Sequence, residues 1–417
     1  MKNYNESILK NGLQVITSED ANSSIITITL GVKAGSRYEQ PHQLGHSHIL
    51  EHMLLKGTKK RPTIFEMNVE QNRVGAYSNA STGSERMNMI IQVATEHMEH
   101  MMELLSDMLQ NSIFDEQVLE NEKRVIIEEL HRAEQDPERL ASMINMQNLF
   151  SGHPLSNLPI GTEEMIKKAT REEVCQFYNS LYRPSQAVLI TVGNLSHEKA
   201  LILGEKYFGS WKTATKEVGK AVDTAKFVFP QGKIVQTFPN IKQSTLILNY
   251  PAAYVSAGEI AVLDILANFL TFGHSSFLGQ ELRHKRGLVY AVNTSNIAYS
   301  DAGRFSITAQ TTKPKEVITI IKESMSVIMN HLPESLFHEI KNQTIGVFIR
   351  RNADPFNETS FLGMNVGLFN RLVTPQEYIK NLRTVSYGDL KKVVKKYITQ
   401  NKTFLTVVGP QEAVEFE

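Results

Sequence analysis

His48-Ile49-Leu50-Glu51-His52, set between Gly45 and Gly57, is the stretch on which the reading of this chain turns. Its spacing predicts a helix over residues 45–55. Two histidines four apart on a helix project from one face and can bind one metal ion through neutral imidazoles. Glu51 adjoins His52, so it lies beside the metal without having to ligate it. A base must sit there to take a proton from metal-bound water. The order inverts the commoner His-Glu-x-x-His zinc motif. A catalytic zinc usually takes three protein ligands and keeps a fourth position for water. A helix predicted over 115–134 offers Glu122, Glu128 and Glu129 as the third. Glu122 and Glu129 are seven apart, hence on nearly one face, and Glu128 is rotated about 100° away. A carboxylate pair buried on one face costs free energy unless charge compensates it, as a zinc ion would. His46 is two residues from His48 and does not share its face. His42, His97, His100 and His131 read as bystanders or surface groups.

Outward from this helix, 417 residues and 47.0 kDa exceed one ordinary core and point to two domains. Lys plus Arg and Asp plus Glu are each 44, so there is no whole-chain basic field for nucleic acid or an anionic membrane. The single cysteine, Cys175, excludes an intramolecular disulfide and thiolate zinc sites. No apolar run approaches the roughly 20 residues that span a bilayer. The N-terminus is polar and shows no signal peptide. These features predict a cytoplasmic protein.

Residues 7–17 read as a hairpin turning at Asn11-Gly12. Ile25–Val32 alternates apolar residues with Thr, the pattern of a half-buried strand. Met87–Val93 reads as another strand. Met98, Met101, Met102, Leu105, Met108 and Leu109 recur at helical spacing, a packed core face. Asp136-Pro137 closes the helix that carries Glu122 and Glu129. The second half repeats the first. Ile190-Thr191-Val192-Gly193 and Thr406-Val407-Val408-Gly409 end 216 residues apart, as do Gly57 and Gly273. At that offset His48, Glu51 and His52 fall on Asp264, Ala267 and Asn268, so the second copy has lost the ligands. The expected domains are 1–215, zinc-binding, and 225–417, degenerate, with a linker near Gly209–Phe227.

Gly45-x-x-His48-x-x-Glu51-His52-Met53, followed by Lys56-Gly57-Thr58, resembles the zinc motif of the pitrilysin, insulysin and mitochondrial processing peptidase family. The resemblance implies that Glu129, 77 residues past His52, is the third ligand of one zinc ion per chain. It also implies that Glu122 supports the site without binding the metal. Gly75-x-x-x-Asn79-Ala80-x-Thr82 resembles the family segment leading into an edge strand, where Asn79 and Ala80 would hold the substrate as an added strand. Pro159-Ile160-Gly161-Thr162 and Tyr182-x-Pro184 resemble later landmarks. Arg286-Gly287-Leu288-Val289-Tyr290 resembles a segment whose Arg and Tyr reach the substrate and the developing oxyanion. One departure is Met89, near where the family often has tyrosine.

With two domains rather than four, the chain is similar to the processing-peptidase branch. The resemblance implies an α+β fold of two homologous domains, each a mostly antiparallel sheet packed with helices, forming one half-shell of a clamshell chamber. Half-shells of this kind pair as homodimers or as heterodimers with an inactive partner. The expected activity is that of a zinc metalloendopeptidase acting on peptides or unfolded segments, with Glu51 as base and Arg286 and Tyr290 stabilising the tetrahedral state. The competing expectation is a non-catalytic, substrate-capturing subunit. A fragment holding only the first domain is expected to bind zinc but to cleave poorly.

Overall fold

The computed structural model describes residues 2–212, 226–238, 241–254, 256–398 and 402–410. The hairpin forms as its sequence predicts. Strands β1 (Asn3–Ile8) and β2 (Gln14–Glu19) pair antiparallel across Gly12, whose φ of 94° only glycine adopts at little cost. They join β3 (Ile25–Val32), β4 (Tyr77–Thr82), β5 (Met87–Ala94) and β6 (Ala187–Gly193) in a six-stranded sheet of order β1-β2-β6-β3-β5-β4. Only β2 and β6 run parallel. The second sheet holds β7 (Gly232–Thr237), β8 (Ser244–Pro251), β9 (Val292–Ala298), β10 (Gly303–Thr311) and β11 (Phe404–Gly409), in the order β7-β11-β8-β10-β9. Again one pair, β7 and β11, is parallel. The order β2-β6-β3-β5-β4 thus recurs with its pairing senses, which is the duplication read at an offset of 216. The architecture is α+β with two such units.

The units are not the contiguous spans 1–215 and 225–417. One comprises Met1–His131, Asn157–Thr224 and Asn352–Thr374; the other comprises Arg132–Ser156, Ala225–Arg351 and Pro375–Glu417. Each has taken one helix from the other half of the sequence. Helix Pro137–Leu149 packs on the second sheet, and helix Pro355–Phe369 packs on the first. Both begin alike, with Asp136 or Asp354 as N-cap, accepting backbone N–H groups, and proline at the first helical position. Asp136-Pro137 therefore ends one helix at Gln135 and starts the next. The linker expected near Gly209–Phe227 lies largely outside the described residues.

Buried polar networks fasten both exchanged helices. In the second unit Asn145 and Asn249 exchange amide hydrogen bonds, and Thr406 and Ser306 donate into the pair. In the first, the buried Glu358 carboxylate accepts from Lys2, Tyr4 and Ser18. Around it Leu362 and Val366 pack on Ile16, Val188, Ile190 and Val192. This helix also covers β3, which is why Ile26–Val32 is buried throughout rather than half-exposed. The threonines of that strand were its polar signal, and Thr27 and Thr29 lie inside. A fragment ending at residue 215 lacks this cover. The methionine face of helix Met98–Gln110 is core, as its spacing predicts. Among the described residues no helix is long and apolar enough to cross a membrane.

Candidate metal centre

Helix His46–Leu54 presents both histidines because Ile49, Leu50, Met53 and Leu54 bury its opposite side. It starts at Gly45 with φ 96° and stops before Gly57 with φ 149°. The second helix, Glu116–Gln135, is anchored at Asp115, whose carboxylate accepts the Val118 N–H at 2.9 Å. Leu119, Glu122, Lys123, Ile126 and Leu130 form its buried face. Two turns on from Glu122, Glu129 points at the histidines, whereas Glu128 is exposed.

His48 Nε2 lies 3.7 Å and His52 Nε2 3.6 Å from the same Glu129 carboxylate oxygen. One donor atom from each residue falls within 4.8 Å of the others, the only such group of three or more among the described residues. Two imidazoles and a carboxylate are the donor set of a catalytic zinc with one open position. The ring nitrogens support this fit. His52 turns Nδ1 away, 2.9 Å from Glu122 Oε2, so Nε2 is the nitrogen offered to a metal. Glu122 Oε1 in turn takes Lys56 Nζ at 2.7 Å. Burial works against ionising Glu122, but the bonds from His52 and Lys56 hold its carboxyl below the usual range. Burial, aided by the nearby His52, pushes His48 down to about 4, so its ring is neutral and able to donate its lone pair at neutral pH.

Glu51 is not among the converging donors. Burial pushes its carboxyl up, opposed by hydrogen bonding to Thr82 and by His52, with Glu129 adding to the upward shift. A raised carboxyl beside a metal site suits a group that must take up and release a proton. Thr82 ends β4, which lies at the sheet edge and pairs, among the described residues, with β5 alone. On that edge Asn79 is exposed and Ala80 buried, and the Asn79 side chain accepts the Ala80 N–H at 2.9 Å. Met89 is fully buried opposite Ala80.

Arg286 and Tyr290 belong to the second unit. There Arg286 pairs with Glu281 at 2.5 Å, and Tyr290, 80% exposed, carries Arg283 over its ring. Asp264, which the repeat aligns with His48, is half-buried and accepts hydrogen bonds from Tyr378 and Asn296. A ligand position has become a structural polar network. His46 is buried and packs edge-on against Phe177.

Spacing did not reveal Glu39. It is buried, and its two oxygens accept the Gly45 N–H at 3.0 Å and the Ser47 N–H at 2.7 Å. Burial pushes this carboxyl up to about 8 against those bonds. It lies in extended backbone between the 3-10 turns Ser36–Tyr38 and Pro41–Gln43, with no periodic pattern, and Lys56 was visible only as part of a motif.

Residues 14–163 match the family model described as Insulinase (Peptidase family M16), and residues 168–344 match the one described as Peptidase M16 inactive domain. A zinc protease of Rickettsia felis is 28% identical over 414 residues, spanning 99% of this chain and 98% of that protein. The bovine mitochondrial-processing peptidase subunit beta is 25% identical over 97% of this chain and 84% of its own length. A protease from Helicobacter pylori superposes with a TM-score of 0.88 at 23% identity, covering 98% of this chain and all of that one. A Pseudomonas fluorescens structure titled as a peptidase M16 inactive domain gives the same score at 19% identity.

Proposed function

Because the chain belongs to the M16 peptidase family, we propose that it is an active zinc metalloendopeptidase whose metal is held by His48, His52 and Glu129. The observation that carries the proposal is the convergence of two imidazole nitrogens on one Glu129 oxygen, with a half-buried, non-ligating Glu51 alongside. When bound, zinc supplies Lewis acidity that lowers the pKa of a water to about 7 and polarises a carbonyl. Glu51 accepts the proton of the attacking water and returns it to the leaving amine. Glu122 holds His52 in one tautomer through Nδ1. The peptide lies along the open edge of β4 beside Asn79 and Ala80, adding a strand to the sheet. For Arg286 and Tyr290 we keep the role that the family resemblance implies, stabilising the tetrahedral state.

A non-catalytic reading draws on the inactive-domain model, but that match covers residues 168–344 and leaves the metal residues outside it. The degenerate positions Asp264, Ala267 and Asn268 also lie in the second half alone. The subunit naming of the bovine relative supports assembly with a second chain, identical or related, and the proposed substrates are peptides and unfolded segments. A single cysteine fits a cytoplasmic setting. Metal analysis and a peptide-cleavage assay on the purified chain test the reading. About one zinc per chain and cleavage abolished by a chelator are expected; a zinc-loaded chain that cleaves no member of a peptide library contradicts it.

A further inference from the structure

The ligand helix is short, and its first turn sets where His48 stands. Residues His46, Ser47 and His48 open the helix, and the first intrahelical bond runs from Ile49 N–H to the Gly45 carbonyl at 3.0 Å. The earlier N–H groups have no partner within the helix. Ordinarily an N-cap side chain next door supplies one, but Gly45 has none. Instead Glu39 reaches across from six residues upstream and takes two of these N–H groups, one on each oxygen. When ionised, this carboxyl also faces the positive end of the helix dipole.

The segment that delivers Glu39 is itself held. Its backbone N–H bonds to Ser36 O at 3.2 Å, and its carbonyl accepts Asn157 Nδ2 at 3.3 Å. Ser36 Oγ closes the link by donating to Asn157 O at 2.7 Å. Four residues beyond Asn157, Gly161 packs so tightly on Gly45 that an added Cβ would lie 2.5 Å from the Gly45 Cα. Glu39 and the 157–161 loop together grip the start of the ligand helix from two sides.

We propose that Glu39 is a positioning residue for the zinc centre: by clamping the Gly45 and Ser47 N–H groups it fixes the first turn of the ligand helix and so places His48 opposite Glu129. The proposal rests on the zinc reading above but not on catalysis, so its test is metal binding. Glu39→Gln puts an amide NH2 against one of the two N–H groups, and Glu39→Asp keeps both carboxyl oxygens but loses reach. Both variants are compared with the wild type by chelator competition for zinc and by the visible spectrum of the cobalt(II)-loaded protein. Zinc affinity lower by about 10- to 100-fold, the range for lost supporting contacts, and a shifted cobalt spectrum are expected. The aspartate variant should fall between glutamine and wild type. Wild-type affinity and spectrum in both variants, whatever happens to thermal stability, overturn the proposal. Hydrogen exchange of the wild-type metal-free protein adds a check that needs no variant. The Ser47 amide should be protected as well as the helix interior, and rapid exchange there also overturns it. If the wild type binds zinc yet cleaves nothing, the peptidase reading fails and this one stands.

Discussion

Removing the Glu122 carboxylate should weaken zinc binding without touching a ligand. Its Oε2 sits 2.9 Å from His52 Nδ1, and its Oε1 takes Lys56 Nζ at 2.7 Å, both half-hidden from solvent. In Glu122→Ala, the His52 Nδ1–H loses its acceptor and the ring is free to turn or change tautomer. A hydrogen bond to a charged group is worth about 1.5–3 kcal/mol. Supporting contacts to metal-ligating histidines cost about 10- to 100-fold in affinity when removed, the same range. A Glu122→Gln variant should lose less. Its amide oxygen can still accept from His52, but its NH2 then confronts Lys56, where two donors meet. Competition against a calibrated chelator gives the zinc dissociation constant, and the cycle with Lys56→Met separates the contribution of the Lys56 contact. Coupling of about 0.5 kcal/mol or more between the two positions is expected for groups in direct contact. Zinc affinity within twofold of wild type in Glu122→Ala refutes the supporting role.

Other outcomes follow from the same contacts. Gly161→Ala, with φ 75° and a backbone atom of Gly45 2.5 Å from the new Cβ, should cost at least about 2 kcal/mol in denaturant unfolding and weaken zinc binding along with it. The fragment 1–215 should show no cooperative unfolding transition, because it lacks the helix that carries Glu358, Leu362 and Val366 against the first sheet. A fragment that folds and binds zinc would restore the contiguous domain division. In the metal-free protein His48 is pushed down to about 4 from an ordinary 6.5, so the unfolded chain takes the proton first. Stability is therefore intact above pH 6.5 and falls as pH drops toward 4, by about 3 kcal/mol from this group. In His48→Asn that part of the acid sensitivity should vanish from urea titrations between pH 7 and pH 4.

The ligand residues were legible because a helix enforces its own geometry. Spacings of four and seven fix which side chains share a face, so His48 with His52 and Glu122 with Glu129 could be paired from sequence. Choosing Glu129 over Glu122 as ligand required the family resemblance, since both lie on that face. The structure separates them by burial and partner: Glu122 bonds the outward nitrogen of His52, and Glu129 faces the Nε2 atoms. The repeat was legible for a related reason, because equivalent strands and helices keep their order in each half. The helix exchange was not. Pro355–Phe369 packs on β6 from more than 160 residues away, and no local pattern announces that partner. The buried Thr27 and Thr29 misled for the same reason, since the helix that covers their strand comes from the far half of the chain. Glu39 was hidden because a carboxyl reaching forward to a helix N-terminus has no fixed spacing. Arg286 and Tyr290 were found by resemblance, and within their own unit they sit in an exposed cluster with Glu281 and Arg283.

The central claim is that Glu51 is the base of a zinc peptidase site and not a ligand. Its most direct test is Glu51→Gln, assayed side by side with the wild type for zinc content and for cleavage of a quenched fluorescent peptide. The account predicts about one zinc per chain in both proteins, with hydrolysis in the variant lower by at least about 100-fold, the lower end of what a general base contributes. A variant that keeps its zinc and cleaves at the wild-type rate contradicts it.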